Sequence, residues 1–429
     1  MNCPTCSNEY SKDDRFCEKC GRPVSAPTAN DVGALEGKPL RYHGLDALRG
    51  IAMLLGIVLH AALPYIPNVQ TFWPADENSS HVISTIFQFI HVWRMPLFFI
   101  LAGFFANLVI SKQSWKHWWK NRLLRILLPI IVFTPLMSLT LPWIFRYGRS
   151  GEFIFFYSDE GQPFHLWFLW QSMMFVAFTA IFGYPYTLAV KVLDSLNKTR
   201  LSLVIDTFQK LKAICSKMLL QARIPITFII VCSIINLPTD GELTANPIAS
   251  GLYFIIGYSL YKNPLLFTFL KTQWKYYVLA GLISFVVYII LNITESKNLT
   301  SDIYNKDMNN AIEIKSQLSN LLQYLLRIIC GVLLSYGFIG FAESQFKSYN
   351  PKLKFISDGA YWMYIIHLPI VTLATFVMLK LHIPIEIKFL IATMLTAVIC
   401  LITYKYLVRS TVIGILLNGK RHPFKLDGL

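Results

Sequence analysis

Arg49 and His60 bracket an uncharged run, Gly50-Ile51-Ala52-Met53-Leu54-Leu55-Gly56-Ile57-Val58-Leu59. A guanidinium grips phosphate or carboxylate through paired N–H donors. A neutral imidazole takes and returns protons near neutral pH. Eleven helical steps of about 100° return to within about 20° of the start, so both residues share one stripe, about 16 Å apart along the axis. Ionisable groups inside a bilayer are costly and usually face the protein interior, which makes both site candidates. Taken singly, Arg49 is equally explained as snorkelling to one interface and His60 as capping the helix near the other. Further ionisable residues in the apolar segments tip the balance towards a site.

Asp46 stands three residues before Arg49 and can pair with it on one helix face. A second segment carries His91-Val92-Trp93-Arg94-Met95-Pro96, again with ionisable groups three apart and a proline expected to loosen the helix. Gly103 follows in Phe98-Phe99-Ile100-Leu101-Ala102-Gly103-Phe104, and helix packing is the commoner reason for such a glycine than a close ligand. His165-Leu166-Trp167-Phe168-Leu169-Trp170 opens another span. An aromatic belt explains Trp167 and Trp170 but not His165. Tyr361, Tyr364 and His367 succeed one another at intervals of three and lie on roughly one stripe. A buried His367 is either a satisfied structural group or a proton handler.

The elements that must hold these residues are membrane helices. Of 429 residues, 54% are hydrophobic and 15% charged, against about 25% charged in ordinary soluble proteins. The fold class expected is an all-α polytopic membrane protein, a bundle of about ten transmembrane helices. The spans fall near 44–66, 83–110, 123–145, 164–190, 224–239, 246–262, 275–293, 318–342, 357–380 and 385–408. The fifth and sixth are short for a ~30 Å core. The net charge of +15 does not imply nucleic acid, because Lys and Arg gather in alternate connections. One set includes Lys112, Lys116, Lys120, Arg122 and Arg125; the other holds only Arg146, Arg149, Lys297, Lys306, Lys315, Lys380 and Lys388. The bias places both termini in the cytoplasm and suits a multi-pass plasma-membrane protein. An interfacial helix is plausible in 191–222, and the polar stretch 294–317 suits an external connection that shapes an acceptor entrance.

Residues 1–22 read as a zinc ribbon: Cys3, Cys6, Cys17 and Cys20 have the spacing C-x2-C-x10-C-x2-C, which matches a tetrahedral thiolate site. So small a unit needs the metal's binding energy to fold. The alternative is a disulfide knot, but no apolar signal segment precedes these cysteines. Residues 23–43 are a Pro/Gly-containing tether, 44–410 the membrane domain and 411–429 a cytoplasmic tail. The ribbon is a candidate docking module for a protein partner; without a basic-aromatic surface it is not assigned nucleic acid.

The order and spacing of these motifs resemble the membrane acyltransferase-3 family. Within it they resemble the glucans biosynthesis protein C type, through Leu45-Asp46-x-x-Arg49 with His60, Phe89-Ile90-His91-x-x-Arg94-Met95, His165-Leu166-Trp167-Phe168-Leu169 and the tyrosine-rich segment ending His367-Leu368-Pro369. The resemblance covers roughly 42–410. It implies an integral membrane O-acyltransferase moving an acetyl or succinyl group from cytosolic acyl-CoA to a hydroxyl of an extracytoplasmic glycan. The family usually carries serine before the glycine of the FF segment; here Ala102 stands there, so no serine nucleophile acts at that position. The expected catalytic set is His60 as general base, or as carrier of an acyl group, with Arg49, Arg94, His91 and His165. Asp46, Trp167, Tyr361, Tyr364 and His367 are expected substrate contacts, and the bilayer is the obligate partner. A transporter or flippase also fits buried Arg and His, and a membrane-anchored sensor would use the ribbon as its interaction module.

Overall fold

A computed structural model describes residues 42–155, 164–195, 246–302 and 309–419, with a few positions between 206 and 214. The four ribbon cysteines, all of the tether but Tyr42 and His43, and most of 191–222 lie outside the described residues. Among those described, the chain is a helical bundle. Helix α1 is His43–Ala62, α2 His81–Lys112, α3 Trp115–Arg122 and α4 Leu128–Ser150. Helix α5 is Trp167–Ser195, α6 Pro247–Tyr261, α7 Pro264–Asp302 and α8 Asn309–Gln345. Helix α9 is Pro351–Leu379, α10 Ile385–Thr403 and α11 Val412–Asn418.

Among the described residues, eight stretches are long and apolar enough to cross a membrane, so the protein is a polytopic, multi-pass membrane protein. Of the ten expected spans, the fifth lies outside the described residues. The sixth is α6, whose 15 residues extend about 22 Å at 1.5 Å each, short of a full hydrocarbon core. The third begins earlier than expected: α3 runs through a π-helical turn, Leu123–Leu127, into α4. The stretch 294–317, expected as a connection, is helix at 294–302 and 309–317.

The helices begin where short polar side chains can cap them. Ser80, Asn246 and Asn350 accept backbone N–H groups of α2, α6 and α9. The cap on α1 is long-range: Glu343 of α8 accepts Leu45 N–H at 2.9 Å. Gly151, at φ 76°, ends α4 in the left-handed conformation glycine tolerates.

Two packed clusters share α1 as a partition. One face of α1, through Leu45, Leu48 and Ala52, joins the core of α2, α6, α7 and α8. Its later residues Ala61 and Ala62 join the core of α4, α9 and α10. Many outward faces stay apolar and uncovered, as in Leu279, Ile283, Val286 and Ile290 of α7 or Ile387, Ile391, Met394 and Val398 of α10. Lipid tails are as apolar as leucine, so helix association there relies on close packing and polar ties.

Gly103 shows the packing half of that rule. A Cβ on Gly103 would collide with the Phe254 carbonyl of α6, and one on Gly257 would collide with the Ile100 carbonyl of α2. The glycine of the FF segment is therefore a helix-packing residue. Gly103→Val is expected to prevent α2 and α6 from docking, read as loss of the monodisperse detergent-solubilised protein that the wild type gives. The polar half is a buried ion pair. Lys388, which the charge count places in an external connection, is 3% exposed, with Nζ 2.6 Å from Asp76 Oδ2. The pair ties the loop after α1 to α10.

Candidate functional site

Between the two clusters lies a cavity of about 660 Å³. Helix α1 supplies Asp46, Arg49, Met53, Leu59 and His60 to its wall, which confirms that the Arg49–His60 stripe faces the protein interior. Helix α9 runs opposite and supplies Ser357, Asp358, Tyr361, Tyr364 and His367. Arg94 and Ala102 come from α2, and His165 and Trp167 from the short turn Phe164–Leu166 and the start of α5. Every sequence-predicted residue of the membrane domain lines this cavity except His91. That ring is half-buried and stacks on Phe87, with centroids 5.2 Å apart and planes 17° apart.

The two ends differ chemically. At one end, Arg49 donates to both the carbonyl and the hydroxyl of Ser357, each at 3.1 Å, and lies 3.6 Å from Asp46. Asp46 also faces Lys354, which pairs with Asp358. Arg122 and Arg125 join this end. The sequence reading counted both only as topological charge. Their signal was a three-residue spacing, which turns both guanidinium groups to one helix face. Arg125 donates to the Asn418 carbonyl at 2.8 Å, so α11 closes the same end. Nothing local in the sequence announces Asn418, which lies 293 residues away.

The other end is imidazole-rich. His60, His165 and His367 form a chain with His367 in the middle. Its ring centroid is 5.1 Å from that of His60 and 5.2 Å from that of His165. Arg94, 7% exposed, is near enough for its charge to act on His60, His367 and Tyr364. Its position depends on Gly56, because a Cβ there would strike the Arg94 guanidinium. Trp73, from the loop pinned by Asp76 and Lys388, also lines the cavity and packs edge-on against Phe145 at 4.7 Å. Nothing local in the sequence singles out Trp73.

The tyrosine hydroxyls tie helices together. Tyr361 donates to the Arg125 carbonyl and Tyr364 to the His165 carbonyl, both at 2.5 Å. His165 returns the second contact through its ring, with Nε2 3.0 Å from the Tyr364 carbonyl. Tyr361 and Tyr364 thus line the cavity with their hydroxyl protons already engaged. Trp167 contributes its ring, packed 6.3 Å from Phe99; Trp170, 50% exposed, sits on an outward face, as a belt residue would.

The arrangement can hold a polyanion at its arginine end and move a proton at its imidazole end, in a partly apolar chamber. The model of the acyltransferase-3 family, described as an acyltransferase domain, matches residues 42–405. This span includes every cavity residue except Leu417 and Asn418. Over 100 residues the chain is 35% identical to glucans biosynthesis protein C of Salmonella typhi and of Escherichia coli strain K12, and 34% identical to that of Shigella dysenteriae serotype 1. Each match covers 23% of this chain and 25% of the relative, so the shared stretch is about a quarter of those proteins' length. No solved structure matches the chain. With the family model spanning nearly the whole described bundle, the chain belongs to the acyltransferase-3 family of membrane proteins.

Proposed function

We propose that this protein is a membrane O-acyltransferase that moves an acetyl or succinyl group from acyl-CoA to a hydroxyl of a glycan. The observation that carries the reading is the polarity of the cavity: Arg49, Arg122 and Arg125 at one end and three imidazoles with Arg94 at the other, with Arg49 and His60 about 16 Å apart along α1. Acyl-CoA has the same polarity, with anionic phosphates at one end and a thioester at the other. Arg49, Arg122 and Arg125 would hold the phosphates through charge-assisted hydrogen bonds. The acyl chain would then reach His60.

In the proposed step, His60 removes the proton of the glycan hydroxyl. The oxygen forms a bond to the thioester carbonyl carbon, the carbon–sulfur bond breaks, and the departing thiolate takes the proton back from His60. Arg94 would stabilise the developing oxyanion or, with a succinyl donor, the distal carboxylate. His91, behind the cavity wall, would act through its neighbours. The four N-terminal cysteines are proposed to hold a structural zinc ion. The protein is proposed to lie in the inner membrane with both termini cytoplasmic, donor on that side and glycan on the other.

The test is purified protein in lipid with radiolabelled acetyl- or succinyl-CoA and a glycan fraction. Label on glycan supports the reading and chooses the donor. Absence of both transfer and CoA binding overturns it in favour of a transporter. A sharper expectation concerns Arg122, whose Nε is buried without a hydrogen-bond partner. A hydrogen bond involving a charged group contributes about 1.5–3 kcal/mol. Arg122→Gln is therefore expected to raise KM for acyl-CoA by about 10- to 100-fold with kcat little changed, the pattern of lost uniform binding.

A further inference from the structure

We propose that His367 is the positioning residue that fixes the proton of His60 on Nδ1 and leaves His60 Nε2 bare as the base. The inference rests on the acyl-transfer reading above and follows from which ring nitrogens the backbone has already claimed. Pro369 lies inside α9 and has no N–H. The Ile365 carbonyl, four residues back, therefore lacks its helical donor. His165 supplies one: its Nε2 is 3.0 Å from the Ile365 carbonyl and 3.0 Å from that of Tyr364. Carbonyls only accept, so His165 Nε2 carries the proton and its buried Nδ1 is a bare lone pair without a partner.

The same logic fixes His367. Its Nδ1 is 2.9 Å from the Met363 carbonyl and 2.8 Å from the Tyr364 carbonyl, so Nδ1 carries the proton. Its Nε2 is then an acceptor, buried without a partner in a side chain only 1% exposed. An acceptor so enclosed calls for a donor. His165 cannot provide one, because its remaining nitrogen is also an acceptor. His60 can. Its Nδ1 is buried and unpartnered, no backbone contact sets its tautomer, and its ring is the other neighbour of His367 at 5.1 Å.

A proton on His60 Nδ1, directed at His367 Nε2, leaves His60 Nε2 free to take the hydroxyl proton. The resulting imidazolium keeps its Nδ1–H on His367, and the Nε2 proton passes to the departing thiolate. This is the logic of a base oriented by a third group, with a tautomer-locked imidazole as the orienter. His367 acts through His60 and does not touch substrate.

The test uses full-length protein in lipid, with histidine nitrogen-15 spectra and acyl-transfer kinetics for wild type, His367→Gln and His367→Phe; His60→Ala identifies the His60 signals. The expected result is an Nδ1–H tautomer for His60 that is lost in His367→Phe. With it, kcat falls about 10- to 100-fold, the usual cost of losing an orienting partner, at unchanged KM for both substrates. His367→Gln, whose amide oxygen accepts, recovers part of the rate. A tautomer indifferent to position 367 overturns the proposal and gives His367 Nε2 to another donor such as Arg94. A raised KM with kcat intact also overturns it and makes His367 a substrate contact. Should the wild type transfer no acyl group, the functional reading beneath falls. The spectra still decide whether His367 orients His60, and they do so with whichever of the two variants folds.

Discussion

Replacing His60 with alanine is expected to lower acyl transfer by about 10²- to 10⁴-fold, the usual contribution of a positioned general base. The fold should survive. Alanine is the best helix former, and the removed ring is only half-buried. The arginine end lies about 11 residues, or 16 Å, away along α1, so acyl-CoA should bind with unchanged affinity. Kinetics beside equilibrium binding of acyl-CoA to the same purified variant would show a loss confined to kcat. Transfer at the wild-type rate would remove His60 from the chemistry and pass the base to another group in the cavity.

The second large effect is on stability. Lys388→Ala strands the Asp76 carboxylate in a site where both side chains are 4% exposed. Breaking a buried pair by removing one partner costs about 3–5 kcal/mol, because the survivor is an uncompensated charge. Asp76 also accepts the Asn78 N–H at 3.1 Å, so the charge cannot simply turn away without opening the loop. The expected result is a lower unfolding midpoint in detergent. The double variant Asp76→Asn with Lys388→Met should recover most of it, since the amide keeps the Asn78 contact and no charge is left buried. A double variant no better than Lys388→Ala would mean that the pair's own attraction, rather than the stranded charge, holds the loop. The Trp73 ring lies on this loop, so Lys388→Ala is also expected to alter the imidazole end of the cavity.

Arg49 and His60 face one cavity because eleven helical steps leave no other option once the segment is helical. Tyr361, Tyr364 and His367 follow from the same periodicity on α9. His165 was harder: its type made it a candidate, but its partner is a carbonyl orphaned by a proline some 200 residues later. Arg122 and Arg125 were visible as charge and misjudged in role. Loop-end arginines normally serve topology, and only the packing of α4 and α11 turns this pair inward. Ten spans were expected; eight described helices qualify by length, the fifth expected span lies outside the described residues, and hydropathy registers α6 without registering that it is too short to cross alone.

The sequence by itself determined the membrane-helix class, the stripe joining Arg49 to His60, the inward face of the ninth expected span, and the family resemblance. Each is a local property, set by hydropathy, by 3.6-residue periodicity and by motif order. Only the tertiary structure decided which helices face one another: Gly103 against Phe254, Glu343 on the first turn of α1, Asp76 against Lys388, and the His60–His367–His165 chain. These are contacts between residues far apart in the chain, chosen by helix packing and by the need to satisfy buried polar groups. The tautomers that give the histidines distinct roles arise from the same requirement, because they are written in backbone carbonyls that no spacing of side chains records.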